Sequence, residues 1–236
     1  MTKTTSENLK PIPQDEQCII QFRDINFSVS KKVKRKVETK VILRGVSGVF
    51  KPGRITAVMG ASGAGKTSLL QILAGGVRFG ELEGDIKVNK KSIHGGEMKK
   101  ISGFVFQDDV ILSTMTVREA ITMSAKLRLP NSLSDEEREA RVDSVIKLLH
   151  LEKAQNTSIG DSDVKGISGG ERKRCAMAME FITNPYILFL DEPTSGLDSF
   201  TAFSVVRTLR DLARTGRTVV TTIHQPSSDV YVSIRL

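Results

Sequence analysis

Apolar positions along this chain change period several times, and each change predicts an element. Cys18 to Val29 and Val41 to Phe50 are rich in Ile, Val and Phe and read as strands, joined by a polar stretch. Lys51-Pro52-Gly53 signals a turn, Ile55 to Met59 is a short apolar run ending at Gly60, and Thr67 to Ala74 carries leucines at helical spacing until Gly75-Gly76 stops it. Ile86 to Val88 and Phe104 to Phe106 predict further short strands. The pattern then turns helical. Thr116 and Glu119 form a capping-box pair for a helix to about Leu129, which Pro130 ends; Ser134 and Glu137 start a second, with Val142, Val145, Ile146 and Leu149 on one face. From Gly170 a helix runs to about Thr183, Ile187 to Leu190 is a wholly apolar strand, Ser199 to Thr215 is helical, and Thr218 to Ile223 is another strand. Strands apolar on both faces and alternating with helices predict an α/β fold whose parallel core sheet is covered on both sides.

At 236 residues and 39% hydrophobic content, the chain suits one domain with an inserted helical lobe, placed at about 108–166. No stretch approaches the length of a spanning helix. Met1 to Gln17 is expected to be a polar tail without a secretory signal, which makes the cytosol the default compartment. Cys18 and Cys175 lie far apart and offer no disulfide framework or metal pattern. The net charge of +8 admits a polyanionic partner, but much of it is local to Lys31-Lys-Val-Lys-Arg-Lys36. That run reads as a solvated hairpin loop, with lipid headgroups or nucleic acid as the alternatives. Trp is absent and no aromatic residues interleave the basic run, which argues against nucleic acid.

Candidate chemistry begins where the strand Ile55 to Met59 ends. Gly60, Ala61, Ser62, Gly63, Ala64, Gly65, Lys66, Thr67 and Ser68 have the spacing of a phosphate-binding loop between strand and helix. Glycines let backbone N–H groups wrap phosphates, and the helix presents its positive end to them. Lys66 is placed to reach the β and γ phosphates and Thr67 to take a place on Mg²⁺. Asp191 closes the apolar run from Ile187 and is expected on a strand beside the phosphate-loop strand, where its carboxylate could hold a metal's water shell. Glu192 then faces the γ phosphate as general base; a surface acidic pair is the competing reading. Ser168, Gly169 and Gly170 put a hydroxyl and two small residues at a helix start, which reads equally as an anion site or an ordinary N-cap.

In order and spacing these segments resemble the ATP-binding cassette (ABC) ATPases: the phosphate loop, then Ile167-Ser-Gly-Gly-Glu-Arg172, then Ile187-Leu-Phe-Leu-Asp-Glu192 with Pro193-Thr-Ser-Gly-Leu-Asp198. The resemblance implies the P-loop ABC-ATPase fold, with a small antiparallel β subdomain and an inserted α-helical subdomain beside the core sheet. It implies ATP and Mg²⁺ as ligands, Gln107 as the glutamine that touches metal and water, and His224 as the switch histidine. Each of the last two alone would be an ordinary polar residue. It also implies that Ser168, Gly169 and Gly170 complete the site of a second copy in a head-to-tail dimer, homo- or heteromeric, and that Asp198, in a segment resembling the family's D-loop, binds nucleotide.

Glu171, Thr194-Ser-Gly-Leu-Asp-Ser199 and His224-Gln-Pro-Ser-Ser228 resemble the G (White) subfamily, whose nucleotide-binding domain precedes its membrane helices. By that resemblance the final strand, linker and transmembrane domain are missing after Tyr231, and the chain works on the cytoplasmic face of a membrane as part of an exporter. Val29 stands where many relatives place an aromatic ring against adenine, which implies either weak base stacking or stacking by Phe22, Phe27 or another residue. Two rival readings are a soluble ABC ATPase acting on nucleic acid or ribosomes and a non-transporting regulatory fragment.

Overall fold

The computed structural model describes residues 11–33, 36–77, 79–161, 164–224 and 231. Two four-stranded sheets face each other. The first is antiparallel, in the order β2 (Lys36–Phe50), β1 (Ile20–Val33), β4 (Glu81–Val88), β5 (Lys91–Ser92). The second is parallel, in the order β3 (Ile55–Met59), β8 (Thr218–Ile223), β7 (Ile187–Leu190), β6 (Ser102–Val105). The hairpin strands run longer than the apolar pattern predicts. Lys31 pairs with Glu38 and Val33 with Lys36, so most of the basic run is strand, not loop, while Lys34 and Arg35 lie outside the described residues.

The apolar run of β7 has a reason in the layering. Leu188 and Leu190 point into a core shared with the helices, whereas Ile187 and Phe189 point to the antiparallel sheet, so every position of the strand is buried. On the first side pack α3 (Val117–Arg128), α4 (Asp135–Leu148), α5 (Gly169–Phe181) and α6 (Ser199–Arg214). On the second side α1 (Lys66–Leu73) and α2 (Gly95–Ile101) lie between the sheets. The sequence pattern did not predict α2 or β5, whose short polar segments carry little periodicity.

Helix starts follow the predicted chemistry. Thr116 Oγ1 accepts from Glu119 N at 3.2 Å while Thr116 N donates to Glu119 Oε2 at 2.8 Å, and Ser134 and Glu137 repeat the arrangement on α4. At the other end of α5 the fully buried Arg217 lies 4.8 Å over the Phe181 ring and donates to Asn184 Oδ1 and Thr215 Oγ1. Burial lowers its pKa to about 10. Arg141 donates to Ile182 O at 3.1 Å, so two cations meet the negative end of α5 and fasten it to β8 and α4. Ile12 is buried and donates its N–H to Thr215 O at 2.8 Å, which ties the last part of the expected polar tail to the domain.

Candidate nucleotide site

All four strands of the parallel sheet deliver their carboxyl ends to one rim, the edge where open α/β sheets place ligands. There a cleft of about 500 Å³ is lined by Ser62, Gly63, Gly65, Lys66, Thr67 and Ser68, by Gln107, Glu192 and His224, and by Lys40, Val41 and Ile42. Gly65 takes φ 88° to turn the loop into α1, and an added Cβ there would stand 2.8 Å from Leu43 Cδ2. Lys66, only 8% exposed, donates to Gly60 O and Ala61 O at 3.0 and 3.1 Å, and its Nζ lies 3.9 Å from Glu192 Oε1. Lys66 and Glu192 thus converge at the cleft.

The acidic pair sits differently from the expectation in one respect. Asp191 does not lie on a strand beside the phosphate-loop strand, because β8 stands between β7 and β3. The gap is bridged by side chains. Thr67 Oγ1 donates to Asp191 Oδ1 at 3.1 Å, and Thr222 Oγ1, on the intervening β8, donates to the same oxygen at 2.6 Å. The Thr222 oxygen also accepts from Glu192 N at 2.8 Å. Glu192 has φ 44°, a left-handed backbone that costs a non-glycine residue about 1–2 kcal/mol, and the bond from its N–H to Thr222 helps hold it there. Asp191 is 3% exposed, and its N–H is used by Val105 O. A hydroxyl and a carboxylate in contact, with the Gln107 amide on the same cleft, make a hard-oxygen set that suits Mg²⁺ and leaves other positions to phosphate and water.

Ser168, Gly169, Gly170 and Asp198 are not on the lining of this cleft. Ser168 N-caps α5: its hydroxyl donates to Glu171 Oε2 at 2.7 Å and accepts from Glu171 N at 3.3 Å. That hydroxyl holds the Glu171 carboxyl below its ordinary value. Asp198 N-caps α6 by accepting from Phe200 N and Thr201 N at 3.0 Å, and its carboxyl is likewise lowered, chiefly by the Thr201 hydroxyl. The two caps are packed together. A Cβ on Gly170 would lie 2.2 Å from Thr201 Cγ2, so the second glycine of the Ser-Gly-Gly turn lets the start of α5 pack against the start of α6.

Sequence reasoning missed three participants. Thr222 is the penultimate residue of β8, and the paired Thr221-Thr222 before its last residue was the available signal. Lys173 donates to Phe106 O, Gln107 O and Asp109 Oδ1, tying α5 to the segment that bears Gln107. Its signal was a lysine on the helical stripe Gly170, Lys173, Met177, Phe181, all buried. Lys40 to Ile42 of β2 form the cleft's remaining wall. The residues expected against the base do not: Phe22 and Phe27 are buried in the core beneath the antiparallel sheet, and Val29 packs on the same core.

Against known proteins, the model of the family described as ABC transporter matches residues 43–195. The chain belongs to the ABC transporter family. It is 47% identical over 213 residues to ABC transporter G family member 22 of Arabidopsis thaliana, a match covering 90% of this chain and 28% of that protein. It is 42% identical over 233 residues to the broad substrate specificity ATP-binding cassette transporter ABCG2 of Bos taurus, covering 97% of this chain and 35% of that one. The chain therefore spans about a third of the length of the curated relatives it matches. A solved structure, cbiO1 from Clostridium perfringens, described as part of the ABC transporter complex cbiONQ, superposes with a TM-score of 0.71 at 25% identity over 89% of this chain and 80% of that one. The fold is that of an ABC ATPase, and the chain corresponds to the ATP-hydrolysing domain of G-type transporters. No helix among the described residues is long and apolar enough to cross a membrane.

Proposed function

We propose that this domain binds MgATP in the rim cleft and hydrolyses it to power export of a substrate through membrane helices, working on the cytoplasmic face. The observation that carries the reading is the linked set Thr67–Asp191–Thr222–Glu192 closing on Lys66. Lys66 and the loop N–H groups take the β and γ phosphates. Thr67, Asp191 and Gln107 would hold Mg²⁺, which would supply neutralisation of phosphate charge. Glu192, pinned through its backbone to Thr222, orients the attacking water and takes its proton, and His224 contacts the γ phosphate from the neighbouring strand end. Ser168, Gly169, Gly170 and Asp198, which do not line their own cleft, meet the nucleotide of a second domain in a head-to-tail dimer, the Ser-Gly-Gly turn offering N–H donors at a helix start. The helical unit at about 108–166 and the exposed Phe106 and Val110 after β6 face the membrane partner.

The test is Glu192→Gln in the assembled dimer. Nucleotide binding is expected to persist while turnover falls by about 10²–10⁴. Turnover at the parent rate would remove Glu192 from its role and this reading with it.

A further inference from the structure

Gln107 lines the cleft from outside the sheet. The ladder between β6 and β7 ends at the pair Val105 and Leu190, and Gln107 follows two residues later as an exposed bend. What grips its backbone comes from another element. The buried Lys173 ammonium on α5 donates to Gln107 O at 2.9 Å and to Phe106 O at 3.3 Å, and its third donor goes to Asp109 Oδ1 at 2.7 Å. In an extended strand successive carbonyls point to opposite sides, so two of them turned toward one nitrogen set the bend at which Gln107 leaves the direction of β6. Bonds from an ammonium are about twice as strong as those between neutral groups, which suits them to holding a short irregular segment.

The helix that carries Lys173 is itself fixed at both ends. Ser168 caps its start, where Gly170 packs against Thr201, and Arg141 donates to Ile182 O just past its end. The position of Lys173 is therefore set by contacts that do not involve the segment it holds. Charge balance needs only Asp109. The two remaining donors fall on the carbonyls of Gln107 and its predecessor, and that placement serves the geometry of Gln107.

We propose that Lys173 is a positioning residue for Gln107, fixing its backbone so that its amide is presented to the metal. The inference rests on the MgATP reading above and adds how one of the metal-side groups is placed. Mg²⁺ takes ligands at about 2.0–2.1 Å in near-ideal octahedral geometry, so a small displacement of Gln107 matters. Removing a group that orients a metal ligand by hydrogen bonding typically costs about 10–100-fold in metal affinity or activity.

The experiment is calorimetric titration of the full chain with the β,γ-imido analogue of ATP, once with Mg²⁺ and once with a chelator. The ratio of the two affinities is the magnesium gain. The variant Lys173→Met, Asp109→Leu removes the cation and its counter-charge together, so no buried charge is left alone. Its magnesium gain is expected to fall by about tenfold while the metal-free affinity stays within about twofold of the parent's. Gln107→Ala should lower the gain to a similar extent, and adding it to the pair should cost little more, because both changes remove the same contact. A gain equal to the parent's in a pair variant that unfolds cooperatively would overturn the inference. So would an equal loss with and without Mg²⁺, which makes Lys173 scaffold alone, or a further loss of about tenfold when Gln107→Ala is added. Should the pair variant not fold, Lys173→Arg, which keeps a cation beside Asp109 and alters the reach to the two carbonyls, takes its place in the same cycle with the same deciding outcomes. If Gln107→Ala alone leaves the gain at the parent's size, or the parent binds no analogue, the MgATP reading of these residues falls and takes this one with it. That failure is told apart because it shows without any change at Lys173.

Discussion

Lys173 Nζ lies 2.7 Å from Asp109 Oδ1, with the two side chains 5% and 8% exposed. The ammonium also meets Phe106 O at 3.3 Å and Gln107 O at 2.9 Å, so its three donors are all used. This pair joins the helix that follows Ser168 to the segment that carries Gln107. Removing one partner leaves a buried charge alone, so Lys173→Met is expected to destabilise the domain by about 3–5 kcal/mol in denaturant unfolding. The double variant Lys173→Met, Asp109→Leu should recover much of the loss. A single variant as stable as the parent would show that the pair contributes nothing.

Thr222 is the joint between Asp191 and Glu192. Thr222→Val keeps the shape and deletes the hydroxyl, leaving Glu192 N without its acceptor at a backbone angle that needs holding. ATP turnover is expected to fall by about 10- to 100-fold through misplacement of Glu192, with KM changed far less. Thr222→Ser should behave as the parent, and matched rates for the Val and Ser variants would disprove the joint.

Gly170→Ala should destabilise by about 1–3 kcal/mol, because the new methyl group overlaps Thr201 Cγ2 in a packed contact. Thr201→Ser removes that carbon and keeps the hydroxyl that donates to Asp198. Thermal melts of Gly170→Ala with and without Thr201→Ser are expected to show recovery in the pair. Equal melting temperatures for the two would mean that the overlap is relieved elsewhere.

Burial raises the Cys175 thiol from 9.0 to about 12. In the unfolded chain the proton leaves near 9, and in the folded chain it stays until about 12, so the folded state is favoured below pH 9 and loses this advantage as pH rises toward 12. Stability should therefore fall between those values, less steeply in Cys175→Ala. At neutral pH Cys175 should resist iodoacetamide until denaturant is added; rapid alkylation of the native protein at Cys175 would contradict its burial.

What the sequence made legible followed from local chemistry. Capping pairs such as Thr116 with Glu119 and Ser134 with Glu137 act within one turn, so the letters alone place them. The four apolar residues of β7 announce a strand buried on both faces. Strand order was harder, because nothing in Ile187 to Leu190 or Thr218 to Ile223 says which lies beside β3, and the Thr222 bridge depends on that order. The base wall was misplaced for a related reason. Val29 and Lys40 are hairpin partners, and the letters alone do not say that the stretch Lys40 to Ile42, rather than Val29, lines the cleft.

The order β8, β7, β6 places His224 directly after one strand, Asp191 and Glu192 directly after the next, and Gln107 two residues beyond the third. Adjacent strands stand about 4.8 Å apart, little more than the width of one phosphoryl group. An anion at the middle strand end is then within reach of both neighbours together, so departure of a single phosphoryl group is registered across the row at once.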